Sequence, residues 1–345
     1  MDIEASRQMI IELPIDVSVL ANLRETARLA ATHYSTQIEG NRLTKEQVAL
    51  AIGGAKFPGR ARDEAEVRNY YRALHRVEEL GARAGDIAEA DLQRIHGIVH
   101  KGKVTPSPYR DGQNVIRDAA TGGVVYMPPE PVDVPVLMSE LFEWINRELD
   151  RTELPLPIVG ALAHYQYATI HPYYDGNGRA ARLLTTLILH KTGYDLKGIY
   201  SLEEHYARNL AGYYAALTVG PSHNYYLGRA EADVTGFVDY FCASMAAAFA
   251  AVRVQAYAAA TRGGRDSSLL LRRLDPRQRQ VLGLFRDQEA VSSASIAQYL
   301  DISTRAAGDL CRKWVETGFL QIVATARKSR SYSLTEAYEE LALRR

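Results

Sequence analysis

The stretch His171-Pro172-Tyr173-Tyr174-Asp175-Gly176-Asn177-Gly178-Arg179-Ala180-Ala181-Arg182 decides the fold of this chain. Apolar residues recur at helical spacing before it, at Ile158, Leu162, Tyr165 and Thr169. A second apolar helical face follows it, formed by Leu183, Leu184, Leu187 and Ile188. The residue before a proline disfavours the α conformation, so His171-Pro172 ends the first helix. The two glycines are therefore predicted to lie in a loop that opens onto a helix N-terminus.

A loop of this kind favours anion binding. Free backbone N–H groups and the positive end of the helix dipole point into it, and glycines let a phosphate approach the backbone. Arg179 and Arg182 are three residues apart, so they share a helix face and can hold two phosphates. Asp175 is a candidate Mg²⁺ ligand, and His171 could deprotonate an attacking hydroxyl. The stretch therefore predicts phosphoryl or nucleotidyl transfer.

Two other phosphate-binding motifs do not account for the same stretch. Gly176-x-Gly178-x-x-Ala181 fits a dinucleotide fingerprint, with Asp195 as the ribose ligand. That fingerprint follows a strand, whereas a helix is predicted here, so this reading is disfavoured. The chain contains no G-x-x-x-x-G-K-[ST], which excludes a P-loop.

The same residues resemble the signature of Fic-domain proteins, H-P-F-x-D/E-G-N-G-R-x-x-R, and depart from it only at Tyr173, where the family usually has Phe. Fic proteins typically transfer AMP from ATP to a Ser, Thr or Tyr hydroxyl of a target protein. The resemblance implies that His171 is the base and Asp175 the Mg²⁺ ligand. It further implies that an anion hole is formed by Gly176, Asn177 and Gly178. The β- and γ-phosphates would be contacted by Arg179 and Arg182.

A second, shorter pattern lies upstream. Ser35, Glu39 and Gly40 match the Fic inhibitory motif [S/T]-x-x-x-E-[G/N], although a helix that stops at a glycine is common on its own. The resemblance implies that Glu39 pairs with Arg182 and blocks the γ-phosphate site. The chain is therefore expected to be restrained in cis.

Two further segments extend the resemblance. The patches Asn114-Val115-Ile116 and Val124-Val125-Tyr126 predict a β-hairpin, which resembles in position the Fic flap and is assigned to residues 103–131. An exposed strand edge could align a target segment by main-chain pairing and present one hydroxyl to His171. The later pattern Tyr213-Tyr214-x-x-Leu217 resembles a Fic segment whose first tyrosine lies near the adenine, which makes Tyr213 a candidate nucleotide contact.

Composition sets the broad class. The chain has 345 residues, enough for two domains, and a formal net charge of zero, which gives no overall attraction to nucleic acid or membrane. Cys242 and Cys311 suggest no disulfide framework. Met245 to Val252 is the nearest approach to a membrane segment and is too short to span a bilayer. The protein is therefore expected to be soluble and cytoplasmic.

The C-terminal region resembles a winged helix. Three short helices are predicted between Pro276 and Thr317, followed by strands at 320–323 and 331–334 around Arg327-Lys328-Ser329-Arg330. Residues 272–334 hold eleven Lys or Arg and six Asp or Glu, a net charge of +5. The predicted recognition helix carries Arg305, Arg312 and Lys313, which could contact DNA phosphates. DNA binding is not favoured, however, because acidic residues reduce the positive charge of this helix. Winged helices also serve as protein-docking or dimerisation modules.

The sequence thus predicts a mostly α-helical protein. Its regions are an N-terminal helical segment (1–90), a catalytic core (91–234), a long helix and linker (235–265) and a winged-helix domain (266–345). Helices are also predicted for Asp16 to His33, for Leu202 to Leu217 and for Pro276 to Arg286, and Thr44-x-x-Gln47 is predicted as a capping box that begins a short helix. Tyr70, Tyr71 and His96 are interpreted as packing residues. The predicted function is Mg²⁺- and ATP-dependent protein adenylylation restrained by Glu39. Alternatives are a de-adenylylating or bifunctional Fic enzyme and a nucleotide-sensing DNA-binding regulator; a homodimer is also possible.

Overall fold

The computed structural model describes residues 2–15, 17–117, 122–220, 222–261, 274–286, 288–300, 302–324 and 330–343. They form two compact units, Met1–Leu13 with Leu23–Tyr257, and Pro14–Asn22 with Ala258–Arg345. The predicted linker at 262–265, most of the basic tip at 327–329 and the expected first residue of the second helix, Asp16, lie outside the described residues.

The chain is mostly α-helical, as predicted. Helices of the first part of the chain are α1 (Asp2–Glu12), α2 (Val17–Ile38), α3 (Lys45–Ile52), α4 (Ala61–Gly81), α5 (Glu89–Lys101), α6 (Val134–Arg151), α7 (Leu156–Ile170), α8 (Asn177–Lys191), α9 (Leu202–Arg208), α10 (Leu210–Leu217) and α11 (Thr235–Thr261). Two strands, β1 (Ile116–Arg117) and β2 (Val124–Tyr126), lie between α5 and α6. Short helical turns of other pitch occur at Leu196–Gly198 and Tyr225–Arg229.

The core of the first unit is built around α7 and α8. Buried side chains of α4, α5, α6, α7 and α8 form one cluster, and Leu183, Leu184 and Ile188 of α8 are completely buried. Central helices of this kind are apolar on most of their circumference because every face meets a neighbour. The loop between α7 and α8 therefore connects two helices of the buried core.

Local sequence signals set several helix boundaries as predicted. The Thr44 hydroxyl accepts a hydrogen bond from the Gln47 N–H, and the Gln47 side chain returns one to the Thr44 N–H, so the capping box that begins α3 is present. Helix α7 ends at Ile170, and His171 adopts left-handed φ and ψ of 52° and 59° immediately before Pro172. Both boundaries are confirmed.

The predicted single helix from Leu202 to Leu217 is wrong, because it breaks at Asn209. The Asn209 side chain accepts a hydrogen bond from the Gly212 N–H at 3.1 Å and so caps α10. Asparagine side chains compete with the helix for backbone groups in this way. Helix α1 was not predicted, and neither was the wide helical turn Tyr225–Arg229.

The predicted flap hairpin is present. Strands β1 and β2 are antiparallel, with Ile116 opposite Tyr126, while the connecting residues 118–121 lie outside the described part. Beyond β2, the Met127 N–H donates to the His223 carbonyl at 2.7 Å, and the Tyr225 N–H donates to the Met127 carbonyl at 3.1 Å. One side of the flap is therefore anchored to the segment before α11.

Helix α11 corrects the expectation that the apolar stretch is short. By length and composition alone, residues Thr235–Ala258 could cross a membrane. Over an 18-residue stretch of this helix the mean hydropathy is 1.5, and a third of the stretch is buried inside the protein. The buried residues recur every three or four positions, as Phe237, Phe241, Met245, Phe249, Val252 and Ala256. Such a stripe is what a helix presents to a protein core, so packing in the first unit explains this apolar face.

The second unit contains α12 (Pro276–Val281), β3 (Val291–Ser292), α13 (Ser293–Leu300), α14 (Thr304–Glu316), β4 (Leu320–Ala324), β5 (Ser331–Leu334) and α15 (Glu336–Leu343). The sheet order is β3-β5-β4, and the element order is typical of a winged helix. The predicted helix from Pro276 to Arg286 is shorter, since it tightens into a 3₁₀ turn at Leu282. On α14, Arg312 pairs with Asp309, so one of the basic side chains considered for DNA contact already has an acidic partner.

Leu184→Ala is expected to lower the free energy of unfolding by about 2–5 kcal/mol, because it removes a fully buried side chain of α8 and leaves a cavity. The matched control is Leu50→Ala, whose side chain is 57% exposed and whose loss is expected to cost less than about 0.5 kcal/mol. Urea unfolding followed by circular dichroism measures both. Equal losses would contradict the placement of α8 at the centre of the core.

Candidate active site

The loop between α7 and α8 is closed by the side chain of Asn177. Its amide donates to the Tyr173 carbonyl at 2.7 Å and accepts from the Tyr173 N–H at 2.9 Å. Gly176 has φ of 80° and caps α8, so a residue with a Cβ would be strained there. The loop is thus shorter than predicted: Gly176 lies in it, whereas Gly178 is in the first helical turn. N–H groups of that turn have no partner within the helix and face the site.

Tyr173 fills the position where the signature has Phe. Its ring is buried and stacks on His96, with centroids 3.5 Å apart and planes 9° apart. His96 Nε2 lies 2.8 Å from the Asp175 carbonyl oxygen, which can only accept, so the imidazole donates. His96 therefore packs, as interpreted from the sequence, and also fixes the backbone at Asp175.

His171 is held as a neutral imidazole. Its Nδ1 lies 3.3 Å from the Ala168 carbonyl oxygen, which requires a proton on Nδ1 and leaves Nε2 as the basic nitrogen. Burial lowers the pKa of His171 to about 4. The hydrogen bond to Ala168 and the charges of Glu39 and Asp175 act in the opposite direction but are outweighed. At neutral pH the ring is therefore neutral, and Nε2 is free of a proton and able to accept one.

Arg110 connects the flap to the His171 loop, a role that sequence reasoning missed. Its N–H donates to the Pro172 carbonyl at 2.9 Å, its Nε donates to the His171 carbonyl at 3.0 Å, and its remaining nitrogens donate to carbonyls of Gly112 and Pro129. Both ends of the flap are thereby joined to the residue that is the candidate base. The available signal was an arginine directly before a predicted hairpin.

Asp175 points a carboxylate out of the loop. Its Oδ1 accepts from the Gly176 N–H at 2.6 Å and from Arg179 Nη2 at 3.1 Å. Burial raises the pKa of Asp175, but the charge of Arg179 and the Gly176 N–H outweigh it, so that this pKa lies below its ordinary value. The side chain is 53% exposed and ionised, and thus available to a cation.

A magnesium ion fits this carboxylate. Within the described ranges, no group of three or more His, Cys, Asp or Glu side chains is arranged to hold a metal. Mg²⁺ is commonly bound by one or two carboxylates together with substrate phosphates and water. A single exposed aspartate beside a phosphate site is therefore a suitable donor set, whereas a metal held by protein alone would lack ligands.

Arg182 and the upstream motif meet in the structure, although they are more than 140 residues apart. Arg182 Nη2 donates to Glu39 Oε1 at 2.8 Å, and Nε donates to the Ser35 hydroxyl at 2.7 Å. Burial opposes the charge on Arg182, but Glu39 outweighs this effect and raises the pKa of Arg182 above its ordinary value. A Cβ at Gly178 would collide with Glu39 Oε1, so this carboxylate occupies the N-terminus of α8.

The turn that carries Glu39 is fixed by the side chain of Asn41. Asn41 Nδ2 donates to the Asp63 carbonyl at 3.0 Å and to Glu66 Oε2 at 3.1 Å. Asn41 Oδ1 accepts from the Leu43 N–H at 3.1 Å. The end of α2 is thereby attached to α4, and Glu39 is delivered from a defined backbone position.

Tyr213 lies deeper than expected for a nucleotide contact. It is 2% exposed, and its hydroxyl is 2.9 Å from His164 Nε2. Burial raises the pKa of Tyr213, and Arg182 is near enough for its charge to oppose this rise. The next residue, Tyr214, is 48% exposed, and its hydroxyl lies 3.4 Å from the Ile38 carbonyl. The described structure thus buries Tyr213 near Arg182 and leaves Tyr214 as the open ring beside the segment that carries Glu39.

Comparisons with known proteins find similarity to Fic proteins. Residues 86–189 match the Fic/DOC family. The chain is 30% identical over 181 residues to the protein adenylyltransferase Fic of Drosophila willistoni, which is 51% of this chain and 35% of that protein. This chain therefore aligns with only about a third of the length of the curated relatives that it matches.

Two solved structures share the fold. A Fic domain containing signaling protein from Bacteroides thetaiotaomicron has a TM-score of 0.64 at 24% identity, over 77% of this chain and 98% of that chain. A Fic family protein from Desulfovibrio desulfuricans G20 has a TM-score of 0.57 at 24% identity, over 97% of this chain and 95% of that chain. Residues 86–189 thus resemble a Fic domain in sequence, and the chain shares the fold of these solved Fic proteins.

Proposed function

We propose that this chain is a protein adenylyltransferase that transfers AMP from ATP to a hydroxyl of a target protein and is inhibited in cis by Glu39. The observation that carries the proposal is the contact of Glu39 with both Arg182 and the N-terminus of α8, beside the neutral imidazole of His171. A carboxylate held there occupies a site suited to phosphate. The name of the Drosophila relatives, protein adenylyltransferase, supports the reaction type.

The transfer requires a base and an anion site, which these residues supply. His171 Nε2 takes the proton of the target hydroxyl as its oxygen forms a bond to the α-phosphorus of ATP. The bond from that phosphorus to the oxygen bridging to the β-phosphorus breaks, and diphosphate leaves with the electron pair. N–H groups at the start of α8 and the guanidinium of Arg179 stabilise the charge that develops on the phosphate oxygens.

Asp175 would hold Mg²⁺ next to these oxygens. A bound Mg²⁺ would neutralise charge on the phosphates of the donor. Arg179 Nη2 lies 3.1 Å from the Asp175 carboxylate, so the guanidinium and the proposed metal ligand are close enough to act on the same phosphate chain.

The flap is the proposed docking site for the target. One side of β2 pairs with β1, and the residue after β2 pairs with the segment 223–225, so the outer edge of β1 is the edge open to a further strand. Asn114, next to β1, donates to the Tyr173 carbonyl at 3.1 Å. A target segment along β1 would thereby be aligned with the loop that carries His171.

Inhibition follows from competition for Arg182. The guanidinium is 2% exposed and already paired, so a γ-phosphate must displace Glu39 before Arg182 can bind it. ATP that binds without this contact would lack the alignment needed for in-line attack. The same carboxylate could instead orient a water that removes AMP, and release of AMP from a modified target would distinguish that reverse activity.

Glu39→Gly is expected to raise labelling of the protein by ATP carrying an α-phosphate label by about tenfold or more. This corresponds to removal of a competing contact worth at least about 1.4 kcal/mol. The matched control is Glu12→Gly, which alters an exposed glutamate at the end of α1 and should leave labelling unchanged. Equal labelling of the wild type and Glu39→Gly would refute inhibition by Glu39.

His171→Ala in the Glu39→Gly background is expected to reduce labelling by about 10²- to 10⁴-fold, the usual contribution of a positioned base. ATP affinity, measured by isothermal titration calorimetry, should change by less than about threefold, since the imidazole does not contact the β- or γ-phosphate in this scheme. Undiminished labelling would show that another group accepts the proton.

Arg182→Ala in the same background is expected to weaken ATP binding by about tenfold or more and AMP binding by less than about twofold. A hydrogen bond to a charged group contributes about 1.5–3 kcal/mol, and only ATP has a γ-phosphate. The control is Arg208→Ala, which removes an exposed arginine paired with Glu204. Equal weakening of ATP and AMP binding would contradict the assignment of Arg182 to the γ-phosphate.

A further inference from the structure

The two oxygens of the Asp175 carboxylate have different surroundings. Oδ1 accepts from the Gly176 N–H at 2.6 Å and from Arg179 Nη2 at 3.1 Å. Oδ2 accepts no hydrogen bond from the described residues, and it lies 3.8 Å from Nδ1 of His100. The oxygen that is not engaged by the loop therefore faces an imidazole nitrogen.

His100 reaches Asp175 from a different element of the fold. It lies in the last turn of α5, whereas Asp175 belongs to the loop before α8. A comparable approach of His75 Nδ1 to Glu78 Oε2, at 3.9 Å, follows from their spacing of three residues on α4. No such spacing brings His100 to Asp175, so tertiary structure alone places these two side chains together.

The His100 ring is supported by a second histidine. His96 lies four residues earlier on the same face of α5, and the two ring centroids are 5.7 Å apart with planes 24° apart. His96 also stacks on Tyr173 and donates to the Asp175 carbonyl at 2.8 Å. One buried side chain thus contacts both the ring of His100 and the backbone of Asp175.

A single metal ion can bridge the two facing atoms. Bonds from a divalent metal ion to an imidazole nitrogen or a carboxylate oxygen are about 2.0–2.2 Å long, so two of them span at most about 4.2 Å. The observed separation of 3.8 Å lies within that reach. The side chains are 37% exposed for His100 and 53% exposed for Asp175, so an ion can enter from solvent and small rotations can shorten the gap.

The donor pair selects among cations. Mg²⁺ takes oxygen ligands almost exclusively, whereas an imidazole favours first-row transition ions. Within the described ranges no third His, Cys, Asp or Glu joins the pair, so the other ligands must be phosphate oxygens and water. Mn²⁺ is the transition ion best suited to a ligand set rich in oxygen.

We propose that His100 Nδ1 and Asp175 Oδ2 together bind Mn²⁺, which shares its remaining positions with phosphate oxygens of the donor nucleotide. The neutral imidazole would then carry its proton on Nε2. The inference rests on the proposed function for the source of those phosphates. The competing arrangements are an ion held by Asp175 through oxygen alone and a weak ion pair between protonated His100 and Asp175.

Pulsed EPR of Mn²⁺ bound to the full chain carrying Glu39→Gly tests the nitrogen ligand directly. Inorganic triphosphate is the phosphate probe, because it contains no nitrogen and any coupling to a coordinated nitrogen must then come from the protein. We expect that coupling in Glu39→Gly and its loss when His100→Ala is added. Bound Mn²⁺ without nitrogen coupling would overturn the proposal.

His75→Ala in the same background is the matched control. It removes the same kind of side chain from a histidine–carboxylate pair whose Glu78 already binds Arg28 at 2.7 Å, and it should leave the nitrogen coupling unchanged. Loss of the coupling in both variants would show that it does not report on His100. Because His100 is partly exposed, His100→Ala is expected to keep the Tm within about 2 °C.

Cation preference gives a second readout. With saturating ATP in the Glu39→Gly background, His100→Ala is expected to weaken Mn²⁺ binding by about tenfold and Mg²⁺ binding by less than about twofold, since only Mn²⁺ loses a favoured ligand. Titration of free Mn²⁺ by EPR, with Mg²⁺ as competitor, measures both. Equal losses would overturn this inference alone, whereas a chain that binds neither ATP nor triphosphate would refute the proposed function and this inference with it.

Discussion

The site depends on one buried positive charge. Arg182 is 2% exposed, and a cation removed from water to that extent costs several kcal/mol unless an anion and hydrogen bonds compensate it. A negative partner therefore stabilises this residue. Glu39 is that partner in the structure described, and in the proposed reaction the γ-phosphate would take its place. The proposed inhibition and the proposed substrate binding would thus be two ways of offsetting the same desolvation cost.

The rest of the site is arranged so that this exchange leaves the chemistry in place. Pro172 and Gly176 fix the two ends of the loop, and the Asn177 side chain closes it. Arg110 then joins both ends of the flap to the backbone of the loop. None of these hydrogen bonds involves Glu39, so its displacement would leave the backbone of the loop and of the flap in place. It would, however, remove a charge that raises the pKa of His171. In the proposed scheme Glu39 therefore acts mainly on the phosphate site.

The sequence predicted what depends on neighbouring residues and missed what depends on distant ones. The end of α7, the capping box of α3 and the flap hairpin follow from Pro172, Thr44 with Gln47, and alternating β-formers, each a local signal. Tyr70 was interpreted as packing only, because its partner Glu203 is 133 residues away. The pairing of Glu39 with Arg182 was expected from family resemblance, since no spacing rule brings residues so far apart together. Sequence periodicity describes faces of helices but not which faces meet.

Release of the proposed inhibition would be constrained by where the segment that carries Glu39 is attached. Asn41 attaches the turn after Glu39 to α4 through the Asp63 carbonyl and Glu66, while Ser35 holds the preceding helical turn through Arg182. Glu39 therefore lies between two fixed points, and movement of the whole helix would break both. Rotation of one side chain breaks only a partly exposed ion pair, 25% exposed on the Glu39 side. The smaller motion costs less, so the contacts of α2 favour a side-chain release in which the scaffold around Arg182 stays assembled.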